Sequence, residues 1–314
     1  MPKVDNAIIM AAGTSSRFAP LSFERPKALI QVKGEVLIER QIRQLLEAGV
    51  PEIWVVTGYK AEQFDYLKNA FGVKLVHNPD YLTRNNNASI WAARDLLRNS
   101  YLCSADNYFA RSPFENRVDG SYYAAVYAAG ETGEWCMQED AQGDISAVTV
   151  GGRDAWIMMG HTFWTEDFSR SFLHILEEEY ERPETAGKLW ESIFIAHLDS
   201  LKMRIRRYPS DMIFEFDTLD ELRSFDGSYW ADSRSRLLKD AAAQLGAAES
   251  ELTEIRSLPG KDTSAAGFRF LCRGKPYRYE YAGAVLAPEG NGGVMIAADA
   301  PPLQNRKNQT KESL

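Results

Sequence analysis

Residues 7–27 read AIIMAAGTSSRFAPLSFERPK. Ala7 to Ala12 form a near-continuous apolar run, the pattern of a strand buried on both faces in a parallel sheet. Gly13 breaks the run and opens a polar loop of Thr14, Ser15 and Ser16 that leads to Arg17. Pro20 and Pro26 stiffen the path to Lys27. A tight turn after a buried strand can direct backbone N–H groups at a polyphosphate, because small residues let the ligand come close. Arg17 and Lys27 beside those amides would neutralise charge that builds up in phosphoryl or nucleotidyl transfer. Taken alone, the turn also reads as an ordinary strand-to-helix loop with surface cations.

Two other phosphate loops are excluded. The pattern G-x-x-x-x-G-K-[ST] is absent, and Ser15 and Phe18 stand where the dinucleotide fingerprint places its second and third glycines. The stretch resembles the N-terminal signature of the sugar-phosphate nucleotidyltransferase superfamily, A-A-G-x-G-x-R…P…P-K, with Ser15 replacing the middle glycine. Serine is small, so the replacement is expected to be tolerated.

The 314 residues, 45% hydrophobic and 25% charged, suit one large globular domain or two. A net charge of −8 gives no global attraction to nucleic acid or an anionic membrane, so an anionic substrate needs a local cationic site. Cys103, Cys136 and Cys272 are odd in number and lack metal-type spacing, which argues against a disulfide framework. The N-terminus lacks a signal peptide's layout and no apolar span is long enough to cross a membrane; the cytoplasm is the expected location.

Further along, apolar residues from Val36 to Ala48 recur at helical spacing and Gly49 stops them. EIWVVTGY reads as a strand, Ala61 to Phe71 as a helix, and VKLVHN as a strand. This alternation predicts an α/β fold with a doubly wound, mostly parallel sheet, in which ligands lie beyond the carboxyl ends of the strands. YLTRNNNAS, Tyr81 to Ser89, suits a loop before a helix from Ile90 to Leu97. Its asparagine amides can read a pyrimidine edge, or simply cap and close the loop. Tyr101 to Ala105 is a strand ending in Asp106, a position suited to holding a divalent cation and equally common for a turn.

From Ser121, the alternation in SYYAAVYA, WCMQ, Ile145 to Val150 and AWIMMGHTFW predicts a small antiparallel insertion over the active site. The acidic run Glu177 to Glu179 reads as a solvated face. In the strand IFEFD, Glu215 and Asp217 are i and i+2 and point to one face, so with Asp106 they supply three carboxylates to one pocket. Two of these suit Mg²⁺ and the third a cation on the acceptor. His77, His161, His174 and His197 share no ligand spacing and read as structural.

AAGTSSRFAPLSFERPKALIQV, VVTGYKAEQFDYLK, NNNAS, SADNYF, GEWC, KLWESIF and IFEFDTLDEL recur in this order in the bacterial CTP:phosphocholine cytidylyltransferases, which the chain resembles from about Asp5 to Phe225. The resemblance implies a nucleotidyltransferase sheet and the joining of CTP and phosphocholine to CDP-choline and pyrophosphate, with Mg²⁺. Carried over by position, it implies nucleotide contacts from Met10, Ala11, Ala12 and Gly13 through the backbone, and a cytidine pocket lined by Tyr81, Asn86 and Ser89. Arg17 and Lys27 would hold phosphates, and Asp106 and Asp217 would bind Mg²⁺. Tyr108, Trp135 and Trp190 would face the trimethylammonium group, with Glu215 and Glu191 as anions. The family commonly has a tyrosine and aspartates where this chain has Gly187, Lys188 and Leu189.

The expected division is a catalytic domain over 1–227, an accessory α+β extension over 228–297 and an unstructured tail over 298–314. In the extension, Asp232 is read as the cap of a helix from Ser233 to Leu245, and a hairpin turns at Arg273-Gly274. The order of these pieces resembles the start of a choline-kinase-like lobe, with no catalytic-loop motif behind it. Alternative acceptors for the same fold are a sugar 1-phosphate, phosphoethanolamine or an aminoalkylphosphonate. A reading of another class is a non-catalytic nucleotide-binding module.

Overall fold

The computed structural model describes residues 1–259, 265–280 and 294–297. The tail expected from residue 298 lies outside the described residues. The chain divides into two compact units. One comprises Met1–Gly13 and Leu37–Glu215; the other comprises Thr14–Val36 and the described residues from Phe216 onward.

In chain order the first strands are β1 (Asn6–Ala11), β2 (Gln31–Val32), β3 (Glu35–Val36), β4 (Ile53–Thr57), β5 (Lys74–His77), β6 (Ser100–Ser104), β7 (Asn107–Phe109) and β8 (Tyr122–Glu139). They are followed by β9 (Ile145–Trp164), β10 (Arg204–Tyr208), β11 (Ile213–Glu215), β12 (Leu252–Pro259), β13 (Ala265–Cys272), β14 (Lys275–Glu280) and β15 (Val294–Ala297).

The first unit is built on a seven-stranded sheet in the order β10-β8-β9-β6-β1-β4-β5. Its centre is parallel: β1 pairs with β4 and β6, and β4 pairs with β5. Ala7, Ile8, Ile9 and Ala11 of β1 are buried, as a central strand covered on both faces requires. The helix Leu37–Glu47 buries Leu37, Ile38, Ile42 and Leu45 at helical spacing. It ends at Gly49, whose φ of +78° only glycine adopts without strain. The mostly parallel α/β sheet matches the sequence expectation.

The expected antiparallel insertion takes a different form. The four short strands anticipated after Ser121 are two long ones, β8 and β9, paired with each other and built into the main sheet through β6 and β10. The gaps between the expected segments are absorbed by register shifts, as around Ala128/Glu131. The helix expected from Ile90 begins earlier, at Asn87, and runs to Ala92.

The second unit opens with the polar loop and the β2–β3 hairpin, whose turn residues Lys33 and Gly34 both have positive φ. It continues with the helices Leu219–Phe225 and Arg236–Gln244 and a four-stranded antiparallel sheet, β12-β13-β14-β15. The hairpin turns at Arg273-Gly274 as expected, again with positive φ at both residues. The cap of the long helix is Ser235, which accepts from the Leu238 N–H, rather than Asp232; the chain is still extended at Asp232. Phe268, Phe270 and Tyr279 form the buried face of this sheet. Cys103, Cys136 and Cys272 are free and buried. Among the described residues no helix is long and apolar enough to cross a membrane.

Candidate active site

In the first unit, β1 and β6 end side by side, with Met10 opposite Ser104. Ala105 N–H donates to Met10 O at 3.2 Å, which sets Asp106 in the turn beyond β6, beside the end of β1. On the other flank, Tyr59 N–H donates to Ala12 O at 3.0 Å. A Cβ on Gly58 would lie 2.7 Å from Tyr81 Cβ and 2.8 Å from Ala12 O, so only glycine lets Tyr81 pack against the end of β1. Ser89 is buried, and its Oγ accepts from Asn78 Nδ2 at 3.3 Å. Met10, Ala11, Ala12, Gly13, Tyr81, Ser89 and Asp106 thus gather at the carboxyl edge of the sheet.

The asparagine run clasps the segment 185–191. Asn85 N–H donates to Ala186 O at 2.8 Å, and Asn87 Nδ2 donates to Thr185 O at 2.9 Å and to Lys188 O. Asn86 Oδ1 accepts from Trp190 N–H at 2.7 Å, while Asn86 Nδ2 donates to Glu191 Oε2 at 3.0 Å. The Asn86 amide retains one N–H and one lone pair. The segment is also anchored by Glu179, which takes Lys188 Nζ at 3.4 Å and His197 Nε2 at 3.2 Å. Glu179 therefore departs from the solvated face read from the acidic run. Burial opposes its charge, but His197 and Lys188 hold its carboxyl below the usual range.

Loss of water around the partly buried Glu191 pushes its carboxyl up to about 7, against hydrogen bonds from Asn86 and Tyr123 that favour the anion. Tyr123, absent from the sequence reading, is the hub here. Its hydroxyl donates to Glu191 Oε1 at 3.4 Å and its ring stacks on Trp190 with centroids 5.8 Å apart. Burial first, then the charges of Glu191, Glu215 and Asp106, raise the Tyr123 hydroxyl well above its ordinary value. The alternation in SYYAAVYA separates Tyr123 from Tyr122 by face, but gives no sign of carboxylates nearby.

The aromatic candidates sit differently from one another. Trp190 is 1% exposed and packs against Trp164, Phe172 and Phe194, so its ring belongs to the core. Trp135 lies in β8, nearly buried, opposite Val150. Tyr108 lies in β7 with the Arg40 guanidinium 4.7 Å from its ring centroid, so one face already carries a cation. Glu215, at the end of β11, is exposed. The strand stops there, so the i, i+2 argument does not extend to Asp217. His161 is fully buried against Tyr122, whose hydroxyl lies 2.8 Å from Nε2, and burial lowers its imidazole to about 3: a neutral packing residue.

In the second unit, Asp217 joins both candidate cations. Arg17 Nη1 lies 2.8 Å from Asp217 Oδ2, and Lys27 Nζ lies 3.8 Å from Oδ1. Lys27 is 5% exposed and stands over the Phe18 ring, whereas the Arg17 side chain is 65% exposed. Ser15 has φ 50° and ψ 42°, the left-handed region that glycine occupies without cost. Among the described residues no group of three or more His, Cys, Asp or Glu side chains is arranged to hold a metal ion.

A family model for the MobA-like NTP transferase domain matches residues 7–131. The chain is 32% identical over 220 residues to choline-phosphate cytidylyltransferase of Streptococcus pneumoniae, covering 70% of this chain and 96% of that protein. It is 36% identical over 228 residues to 2-aminoethylphosphonate cytidylyltransferase of Lancefieldella rimae, covering 71% and 93%. The chain belongs to the cytidylyltransferase family. This cytidylyltransferase also matches the solved structure of CTP:phosphocholine cytidylyltransferase from Streptococcus pneumoniae with a TM-score of 0.69 at 32% identity, over 72% of this chain and 99% of that one. The inositol-1-phosphate CTP transferase from T. maritima, at 16% identity and a TM-score of 0.55, shares the fold. The enzyme is a nucleotidyltransferase, with the mostly parallel sheet of that fold.

Proposed function

We propose that the enzyme transfers the cytidylyl group of CTP to a small phosphorylated amine, phosphocholine first, releasing pyrophosphate. The observation that carries this reading is the set of carboxyl groups around Tyr123, with Glu191 hydrogen-bonded to its hydroxyl and Glu215 and Asp106 near enough to act on it, which suits a cationic acceptor. An oxygen of the acceptor's phosphate attacks the α-phosphorus, and the bond to the β-phosphate oxygen breaks. Arg17 and Lys27 hold the phosphates and spread the charge that moves onto pyrophosphate. Backbone of Met10 to Gly13 and the side chains of Tyr81, Asn86 and Ser89 take the nucleoside. Catalysis by these groups is positioning plus electrostatics, with no covalent intermediate on the protein.

Asp106 and Asp217 offer the hard carboxylate oxygens that Mg²⁺ takes alongside phosphate and water, so the donor chemistry fits. When bound, the ion supplies Lewis acidity at the reacting phosphate. Asp106 belongs to the first unit and Asp217 to the second, so their pairing rests on the sequence resemblance.

A second reading is 2-aminoethylphosphonate as acceptor. The burial of Trp190 and the cation on Tyr108 favour it, because they leave fewer aromatic faces for a trimethylammonium group while the carboxylates can accept from a primary ammonium. Pyrophosphate release with CTP and a panel of phosphocholine, phosphoethanolamine, 2-aminoethylphosphonate and a sugar 1-phosphate tests both. Turnover with the sugar phosphate alone would remove the case for a cationic acceptor.

A further inference from the structure

The segment 14–36 carries both candidate phosphate cations, yet it has little regular hydrogen-bonded structure of its own. Its regular structure is a few short helical turns and two two-residue strands, and although Phe18, Leu21, Phe23, Ile30 and Val32 are buried, so little secondary structure leaves the path of its backbone to outside partners. Its support within the second unit comes from far along the chain. The carboxylate of Glu24, three residues before Lys27, accepts from Ser235 Oγ at 2.5 Å, Arg236 N–H at 3.1 Å and Leu237 N–H at 3.3 Å. It thereby satisfies open amides at the start of the helix Arg236–Gln244, with the Arg236 guanidinium 3.6 Å away. Gln31 O accepts from the Tyr229 hydroxyl at 2.6 Å, and Lys33 N–H donates to Asp226 Oδ2 at 2.8 Å.

The other partner of the cations is held from the same side. Asp217 leads into the helix Leu219–Phe225, whose buried Arg223 donates to Leu252 O at 2.6 Å and Glu249 O at 3.0 Å. Both halves of the Arg17–Lys27–Asp217 arrangement are therefore fastened to residues beyond Asp226.

We propose that Glu24 is a positioning residue for nucleotide binding: it bolts the segment bearing Arg17 and Lys27 to the C-terminal extension, which makes the extension a working part of the phosphate-handling unit. The proposal rests on the assignment of Arg17 and Lys27 to the nucleotide phosphates. Glu24 does not touch substrate; it acts through the path of the chain to Lys27.

The test uses full-length variants, CTP titration by calorimetry and amide hydrogen exchange well below the melting temperature. Glu24→Ala is expected to weaken CTP binding about five- to tenfold. It should also speed exchange in peptides from 14–36 while leaving those of β6, β8 and β9 unchanged. Glu24→Gln keeps an oxygen for Ser235 Oγ and Leu237 N–H but sets an NH2 against the Arg236 N–H, and should weaken CTP binding by less than Glu24→Ala does. Tyr229→Phe removes one hydroxyl and little else; it should shift CTP affinity the same way by about two- to threefold, and serves if Glu24→Ala folds poorly. CTP affinity and 14–36 exchange both unchanged in Glu24→Ala and Tyr229→Phe would overturn the proposal. Arg17→Ala is the separate arm. CTP binding at wild-type strength in that variant would sink the assignment of Arg17, while the exchange data on Glu24→Ala would still decide the brace.

Discussion

Trp190 N–H points at Asn86 Oδ1, 2.7 Å away, and this bond fixes which way the Asn86 carboxamide faces. Its nitrogen must then meet Glu191. Asn86→Ala leaves the Trp190 amide and the Glu191 carboxyl short of a partner, at a cost of about 1–3 kcal/mol. Urea unfolding of the variant should show that loss. Asn86→Asp should cost at least as much at neutral pH, because it sets a second carboxylate against Glu191.

Glu191 gives the protein a pH signature. Its folded pKa, about 7, stands above its unfolded value, so the folded state holds an extra proton between the ordinary carboxylate range and neutrality. This contribution to stability is complete below the unfolded pKa and is lost as pH rises through about 7. Thermal melts from pH 4 to 8 should show the decline, and Glu191→Gln should flatten it. A cationic acceptor favours the ionised form, so its binding near pH 6 should release a proton, seen as a buffer-dependent heat.

Gly58→Ala should disturb the nucleotide edge of the sheet from outside it. The added methyl meets Tyr81 Cβ and Ala12 O, which are held by packing and by the sheet. A loss of roughly 1–3 kcal/mol follows from overpacking. If Tyr81 lines the cytidine pocket, KM for CTP should rise more than kcat falls.

Ser15 tests the proposed phosphate loop directly. At φ 50° a serine carries a left-handed strain of about 1 kcal/mol that glycine does not. Ser15→Gly should keep activity and change stability by less than about 1 kcal/mol, since relief of strain is offset by a more flexible unfolded chain. Ser15→Val places a β-branched residue there and should lower both activity and melting temperature.

Lys27 and Arg17 should separate activity from stability. The exposed Arg17–Asp217 pair contributes little to folding, so Arg17→Ala should leave stability within about 0.5 kcal/mol while pyrophosphate release falls. Lys27→Met should lower kcat by about 10²–10³ if Lys27 meets charge in the transition state.

The centre of the fold was readable because each signal was local. The apolar run of β1, the stop at Gly49 and the positive-φ turn at Arg273-Gly274 each depend on a few neighbouring residues. Ser15 stood out for the same reason, and the structure supplies the cause in its backbone angles. The segments after Ser121 read as four short strands, because a break in the alternation and a bulge within one strand leave the same trace in sequence. The asparagine run was ambiguous for a different reason. Whether a carboxamide serves a base or the chain depends on residues about a hundred positions away, here Thr185 to Glu191. Tyr123 as a hub, and Glu24 as a bolt, had no local mark at all.

The Arg17–Asp217 pair spans 200 residues of sequence and the Glu24–Ser235 bond spans 211. On the ribosome, the first loop emerges while Asp217, Tyr229 and Ser235 are still untranslated. Loop closures this long come late in folding, after the parallel strands nearer in sequence have had time to pair. A nascent chain released before Ser235 would carry a complete sheet and an unanchored pair of cations. With Arg17 and Lys27 in the role proposed for them, competence to handle the nucleotide is among the last properties this polypeptide acquires.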